Sequence, residues 1–205
     1  MPNWCSNRVY VSGKPEFLQH FAATFGKEDE DGKEVPFSFN QTVPMGSEVW
    51  KGNWNEDLQC YTIPFNHDHG TDSLAWAREK WGTKWDACDV DIDVDLIREC
   101  IQKGIDSGSD EVIIDWSFNT AWCPPCEWLR VTSALFPRLE FKIACSEMGA
   151  DFYGIITCKE GELSEAELNE GCTFTDEDDE DFEGEWGPTG EYAIFLDEHG
   201  IHSGG

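Results

Sequence analysis

Near its start the chain alternates polar and apolar positions, Arg8-Val9-Tyr10-Val11, and stops at Ser12-Gly13, which predicts a strand with one buried and one wet face. Pro15 suits the first turn of a following helix, where Phe17, Leu18, Phe21, Ala22 and Phe25 recur on one face and Gly26 supplies a stop. Lys27 to Glu34 is polar and charged and reads as an exposed loop. It leads to the apolar Pro36-Phe37-Ser38-Phe39 and a loop at Pro44-Met45-Gly46. Residues 47 to 72 show no clear period, so the stretch 27–72 reads as a large insertion. Ser73 is a candidate cap for a helix from Leu74 to Trp81, whose Leu74, Ala77 and Trp81 share a stripe that turns Trp81 inward before Gly82 ends it.

Asp89-Val90-Asp91-Ile92-Asp93-Val94-Asp95 alternates acid with aliphatic and predicts a second strand, with a row of carboxylates at Asp89, Asp91, Asp93 and Asp95 on its outer face. A helix from about Leu96 to Lys103 and a strand from Glu111 to Phe118 follow. After a turn at Trp122 to Cys126, a helix from about Pro125 to Leu135 places Trp128, Val131, Thr132 and Leu135 near one face. Leu139 to Cys145 and Phe152 to Cys158 read as a hairpin turning at Gly149 and Ala150. An acidic loop at about 173–190 holds Asp176, Glu177, Asp178, Asp179, Glu180, Asp181, Glu183 and Glu185, whose repulsion favours exposure; Tyr192 to Leu196 then resumes an apolar, strand-like pattern. This order implies one α+β domain over residues 1–205, with an antiparallel or mixed sheet and helices packed mainly on one face.

Composition changes the functional picture more than the structural one. Ten Trp and thirteen Phe in 205 residues guarantee material for a core. The 42 Asp plus Glu against 14 Lys plus Arg leave a net charge of −28, which disfavours direct contact with nucleic acid or anionic membranes and favours a basic protein partner. No apolar run approaches the ~18 residues of a membrane span, and the first residues lack a basic-then-apolar export signal. Nine cysteines, an odd number, fit a reducing cytosol with most thiols as small buried hydrophobes.

Cys123-Pro124-Pro125-Cys126 is the sharpest chemical candidate, because a helix N-terminus after a strand stabilises a thiolate and a second thiol one turn later resolves a mixed disulfide. A redox pair is therefore the main enzymatic alternative to a non-enzymatic binding protein. The same pair lacks two further ligands for a closed zinc site; Cys60, His67 and His69, or Cys145 and Cys158, supply them only if the fold brings them close. The aspartate row fails as a calcium loop, with Val94 and Cys100 where Gly and the bidentate Glu belong. No phosphate loop, nucleophile elbow or His-Glu-x-x-His helix occurs, so no cofactor is expected. Among the tryptophans, Trp76, Trp81 and Trp85 read mainly as core, while Trp50 and Trp54 lie in a Gly- and Asn-rich stretch and are the candidates for exposed anchors.

Four landmarks carry a resemblance. Pro2-Asn3-Trp4-Cys5-Ser6-Asn7, Phe37-Ser38-Phe39-Asn40 with Pro44-Met45, Trp81-Gly82-Thr83-Lys84-Trp85-Asp86-Ala87, and Thr120-Ala121-Trp122 with Pro124-Pro125 resemble the YubB-type ferredoxin-like proteins of plasmids and bacteriophages over roughly Met1 to Gly154. The resemblance implies a ferredoxin-like fold and a mobile-element origin, and it brings no catalytic residues. Cys123 and Cys126 depart from the small non-cysteine residues expected at that turn. The resulting expectation is an accessory protein of a phage or plasmid that binds a basic host protein in the cytosol, one form being a nucleic-acid-mimicking inhibitor of a defence component. Asp89, Asp91, Asp93, Asp95 and the acidic loop would carry the contact.

Overall fold

A computed structural model describes residues 3–28, 32, 34–57, 60–64, 70–173 and 187–201. In chain order it contains β1 (Trp4–Gly13), α1 (Pro15–Ala22), β2 (Lys27–Glu28), β3 (Glu34–Val35), a 3-10 turn (Phe39–Gln41), β4 (Asn53–Asn55), β5 (Cys60–Thr62), α2 (Ser73–Lys80), β6 (Cys88–Asp91), α3 (Val94–Ser107), β7 (Val112–Ala121), α4 (Cys126–Leu135), β8 (Glu140–Glu147), β9 (Phe152–Lys159), β10 (Glu162–Glu170) and α5 (Gly190–His199). Six strands form one sheet in the order β10-β9-β8-β1-β7-β6, and every pairing in it is antiparallel.

The alternation on β1 sorts the two faces. Cys5, Val9 and Val11 join Ile114, Trp116 and Phe118 of β7 and Phe141 and Ile143 of β8 in a buried layer against Leu18 and Phe21 of α1, Ile97 and Ile101 of α3, and Trp128 and Leu129 of α4. Tyr10, Ala144, Tyr153 and Ile155 face the other way, onto Tyr192, Leu196 and Ile201. Helices α1, α3 and α4, joined by Ala77 of α2, thus pack on one face, and α5 covers part of the other. The chain is an α+β protein, as its alternations predict.

Several details differ from the sequence reading. The apolar run 192–196 is helical, because Tyr192 and Leu196 stand four apart and bury together, while Gly200 (φ +55°) closes the helix by donating to the Leu196 and Asp197 carbonyls. Short apolar runs do not separate strand from helix by period alone. Asp72, not Ser73, caps α2, its Oδ1 accepting the Ala75 N–H at 2.8 Å. The buried face of α4 is Trp128, Leu129, Thr132 and Ser133, so Val131 and Leu135 point outward, Leu135 at 57% exposure. Ser133 faces inward because its hydroxyl has partners there, Cys158 Sγ at 3.1 Å and the Gly161 N–H at 3.0 Å. In the stretch 27–72, β2 pairs with β3 where a loop was expected, and Phe37, Phe39, Val43 and Val49 are buried.

Trp81 and Gly82 lock α2 onto the start of α4. The Pro125 side chain cannot cap that helix, and the Trp81 carbonyl accepts the otherwise orphaned Trp128 N–H at 3.2 Å. Trp81 itself is buried and donates its indole N–H to the Val43 carbonyl at 2.9 Å. Gly82 adopts φ +81°, and a Cβ there would lie 3.0 Å from the Glu127 nitrogen. Gly82→Ala is therefore expected to destabilise the fold by about 1–3 kcal/mol, through left-handed strain and backbone crowding together. Urea denaturation monitored by tryptophan fluorescence measures this directly.

Candidate functional site

The acidic edge of the sheet starts from a break in its outermost strand. Cys88 pairs with Asn119 and Asp91 with Ser117, and the register shifts between them. Asp89 sits in that irregularity at φ +48°, a conformation that Asp tolerates better than most residues. Its Oδ2 accepts the Asn119 amide N–H at 3.2 Å. The strand ends at Asp91, not at Asp95. Asp93 turns back to accept the Leu96 N–H at 2.9 Å as the cap of α3, which starts at Val94. Asp95 then lies in the first helical turn, where a negative charge is favoured by the helix dipole, and its Oδ1 stands 3.5 Å from Arg98 Nη1.

The expected ladder of four carboxylates is thus two strand aspartates, a cap and a helix-start residue. A cap satisfies helix N–H groups, whereas a ladder sets like charges side by side. All four aspartates remain exposed along one edge. Among the described residues, Asp89, Asp91 and Asp93 form no ion pair.

Beside this edge lies a cavity of about 200 Å³ on the α5 face of the sheet, lined by Ser6, Asn7, Asp89, Asp91, Ser117, Phe118, Asn119, Gly200 and Ile201. Its floor comes from the polar positions of β1 and β7, and one wall from the end of α5. Ser6, Ser117, Asn119, Gly200 and Ile201 carry no sequence signal for this role. They meet only because β1 pairs with β7, and because the chain after α5 returns to the sheet.

The other candidates are placed as follows. Asp176, Glu177, Asp178, Asp179, Glu180, Asp181, Glu183 and Glu185 lie outside the described residues, as do His67 and His69. Trp54 is 51% exposed and packs edge-on against exposed Tyr61 at 5.2 Å. Trp50 is half-buried, and its carbonyl accepts the Ser73 N–H at 2.9 Å. Trp85, expected in the core, is instead exposed beside Trp4, with Lys84 Nζ 5.6 Å from its ring centroid.

The turn after β7 does place Cys123 and Cys126 ahead of and at the start of α4, and both are free thiols. Their environment opposes thiolate formation. Cys123 donates to the Gly82 carbonyl at 3.1 Å, and burial raises its pKa, with nearby Cys145 adding to the shift. Burial likewise pushes Cys126 up to about 11. Neither thiol has the low pKa of a redox nucleophile. At neutral pH both are expected to react with an aromatic disulfide reagent more than about tenfold more slowly than exposed Cys100. Cys100→Ser separates the phases, and a fast phase surviving in that variant and lost in Cys123→Ser would favour the redox alternative. Among the described residues no group of three His, Cys, Asp or Glu side chains is arranged to hold a metal ion. Nor is any described helix long and apolar enough to cross a membrane.

Residues 102–187 match the family model described as a ferredoxin-like domain in Api92-like protein. No curated protein matches the chain. Among solved structures, the chain is similar to the crystal structure of a protein api92 from Yersinia pseudotuberculosis, at 10% identity and a TM-score of 0.48, with 83% of this chain and 98% of that one covered. The family match supports a ferredoxin-like domain over residues 102–187, somewhat less than half of the chain.

Proposed function

We propose that the protein acts without catalysis, by presenting a negative surface to a basic protein. The observation that carries this reading is the exposed edge where Asp89, Asp91 and Asp93 form no ion pair among the described residues, in a chain of net charge −28. A carboxylate array of this kind offers negative charge to a groove built for phosphates, and complementary fields speed and orient such an encounter. The partner in this reading is a nucleic-acid-binding host protein, a defence component being the form suggested by the resemblance to phage and plasmid proteins. The chain then serves as an accessory protein of a mobile element in the host cytosol, with Asp176 to Glu185 extending the negative surface and Trp54 as an apolar anchor.

The test is affinity capture from host extract at low and high salt, followed by competition with duplex DNA. Capture should fall steeply by about 0.5 M salt, where charges beyond a few ångströms are screened, and DNA should displace the captured protein. Changing the eight acids between 176 and 185 to amides should weaken capture by at least about tenfold, through the loss of steering and contact charge, while the melting temperature stays within a few degrees. Capture that ignores both salt and these substitutions would defeat the reading.

A further inference from the structure

We propose that the cavity at the β6 edge is a socket for one arginine side chain of the basic partner, gripped by Asp89, Asp91 and the Ser6 hydroxyl; this inference rests on the basic-partner reading above. The first ground is that the cavity offers acceptors waiting for donors. Asp91 makes no side-chain hydrogen bond or ion pair among the described residues, and Asp89 takes one donor, from Asn119. Ionised carboxylates have room for several more.

The second ground is independent of the acids. Ser6 is only 9% exposed, yet its hydroxyl bonds to no described protein group and it lines the cavity. Its neighbours on the same face are already committed. Asn119, its partner on β7, serves Asp89, and Ser146, its partner on β8, is bonded to the Tyr192 hydroxyl at 2.8 Å. The hydroxyl of this largely buried side chain is accessible from the cavity and has no protein partner among the described residues, so an incoming donor can bond it.

Shape and charge select the guanidinium. A void of about 200 Å³ is larger than a bare divalent ion needs, and it holds two carboxylates where hard cations gather more oxygen ligands. Ile201 and the Gly200 backbone form a wall along which an alkyl stem can lie while the charged head reaches the aspartates. The planar fork of five N–H donors matches two carboxylates and a hydroxyl, none of which needs to donate. Arg8 lies against the Gly200 wall but its guanidinium is bound to Asp115, with Nε 2.9 Å from Oδ2, and it forms no ion pair with Asp89 or Asp91, which stay open to an incoming group.

The experiment is a titration of the ¹⁵N-labelled full chain with N-acetyl-arginine methylamide at low salt, with the citrulline and lysine analogues, magnesium chloride and calcium chloride as separate arms. Arginine should give saturable shifts at Ser6, Asp89, Asp91, Ser117 and Asn119, and citrulline, which lacks the charge, should bind at least about tenfold more weakly. The Asp89→Asn/Asp91→Asn double variant should lose at least about tenfold in affinity, its unchanged spectrum elsewhere reporting an intact fold. Glu16→Gln, at an exposed position of α1 and outside the cavity, should bind as the parent does. Equal binding of citrulline or lysine, shifts produced only by the divalent ions, or an unaffected double variant would each overturn the socket. A chain with 176–185 neutralised should still bind the arginine probe. Salt-insensitive capture alongside intact probe binding would sink the basic-partner reading and leave the socket standing.

Discussion

Replacing Trp128 by alanine is expected to lower the unfolding free energy by about 3–5 kcal/mol, the range for deleting a large aromatic from a packed interior. Trp128 is fully buried, packs against Phe37, Phe39 and Phe118, and donates its indole N–H to Thr42 Oγ1 at 2.8 Å. It is the point where α4, the sheet and the segment after β3 meet, so truncation opens a cavity on three sides and also removes one of the hydrogen bonds of the Thr42 hydroxyl, which keeps Thr132 as a partner. Trp128→Phe keeps most of the volume and loses the hydrogen bond, and it should cost about half as much. Urea denaturation measures both. A loss below about 1 kcal/mol for the alanine variant would show that the segment 37–43 is not packed as described.

The second large effect is expected at Asp86. This carboxylate ties the 3-10 turn to the β6 approach: Oδ1 accepts the Phe39 and Ala87 N–H groups at 2.7 and 2.8 Å, and Oδ2 accepts the Ser38 hydroxyl. Asp86→Ala strands these donors together and should cost about 2–4 kcal/mol. Burial raises the Asp86 pKa above the ordinary value of 3.8, and the hydrogen bonds only partly oppose it. The native state therefore holds the Asp86 proton more tightly than the unfolded chain does. The resulting stability is fully present below pH 3.8 and is lost as pH rises through the raised value. Asp86→Asn keeps an acceptor for the two backbone groups and removes the titration. The stability difference between Asp86→Asn and the parent should accordingly move in favour of the amide as pH rises through that window. A difference that stays flat would show that the carboxylate is not held at a raised pKa.

Much of the fold was legible because alternation and helical stripes are local signals. Val9 and Val11 against Tyr10, Ile114, Trp116 and Phe118 on β7, and Leu18 with Phe21 on α1 all bury on the side their spacing predicts. Trp81 also turns inward as its stripe requires. Local patterns failed where a contact distant in sequence decided the outcome. The run 192–196 became a helix when Tyr192 and Leu196 found Ala144 and Tyr153 beneath them. Ser133 displaced Val131 and Leu135 from the buried face of α4 because Cys158 and Gly161 offered its hydroxyl partners. The aspartate row broke at Asp93 because capping a helix outweighed extending a ladder of like charges.

The sequence by itself determined that the chain would have a core, that it would belong to the α+β class, and that it would carry a dense excess of negative charge. These follow from composition and from periods only a few residues long. Only the tertiary structure decided that Asp89 and Asp91 share a cavity with Ser6, Asn119 and Ile201, and that Cys123 and Cys126 sit where burial keeps them protonated. The physical reason is that a period tells a side chain which face it occupies, whereas its neighbours on that face are chosen by strand pairings such as Ser6 with Asn119, which join residues far apart in the chain.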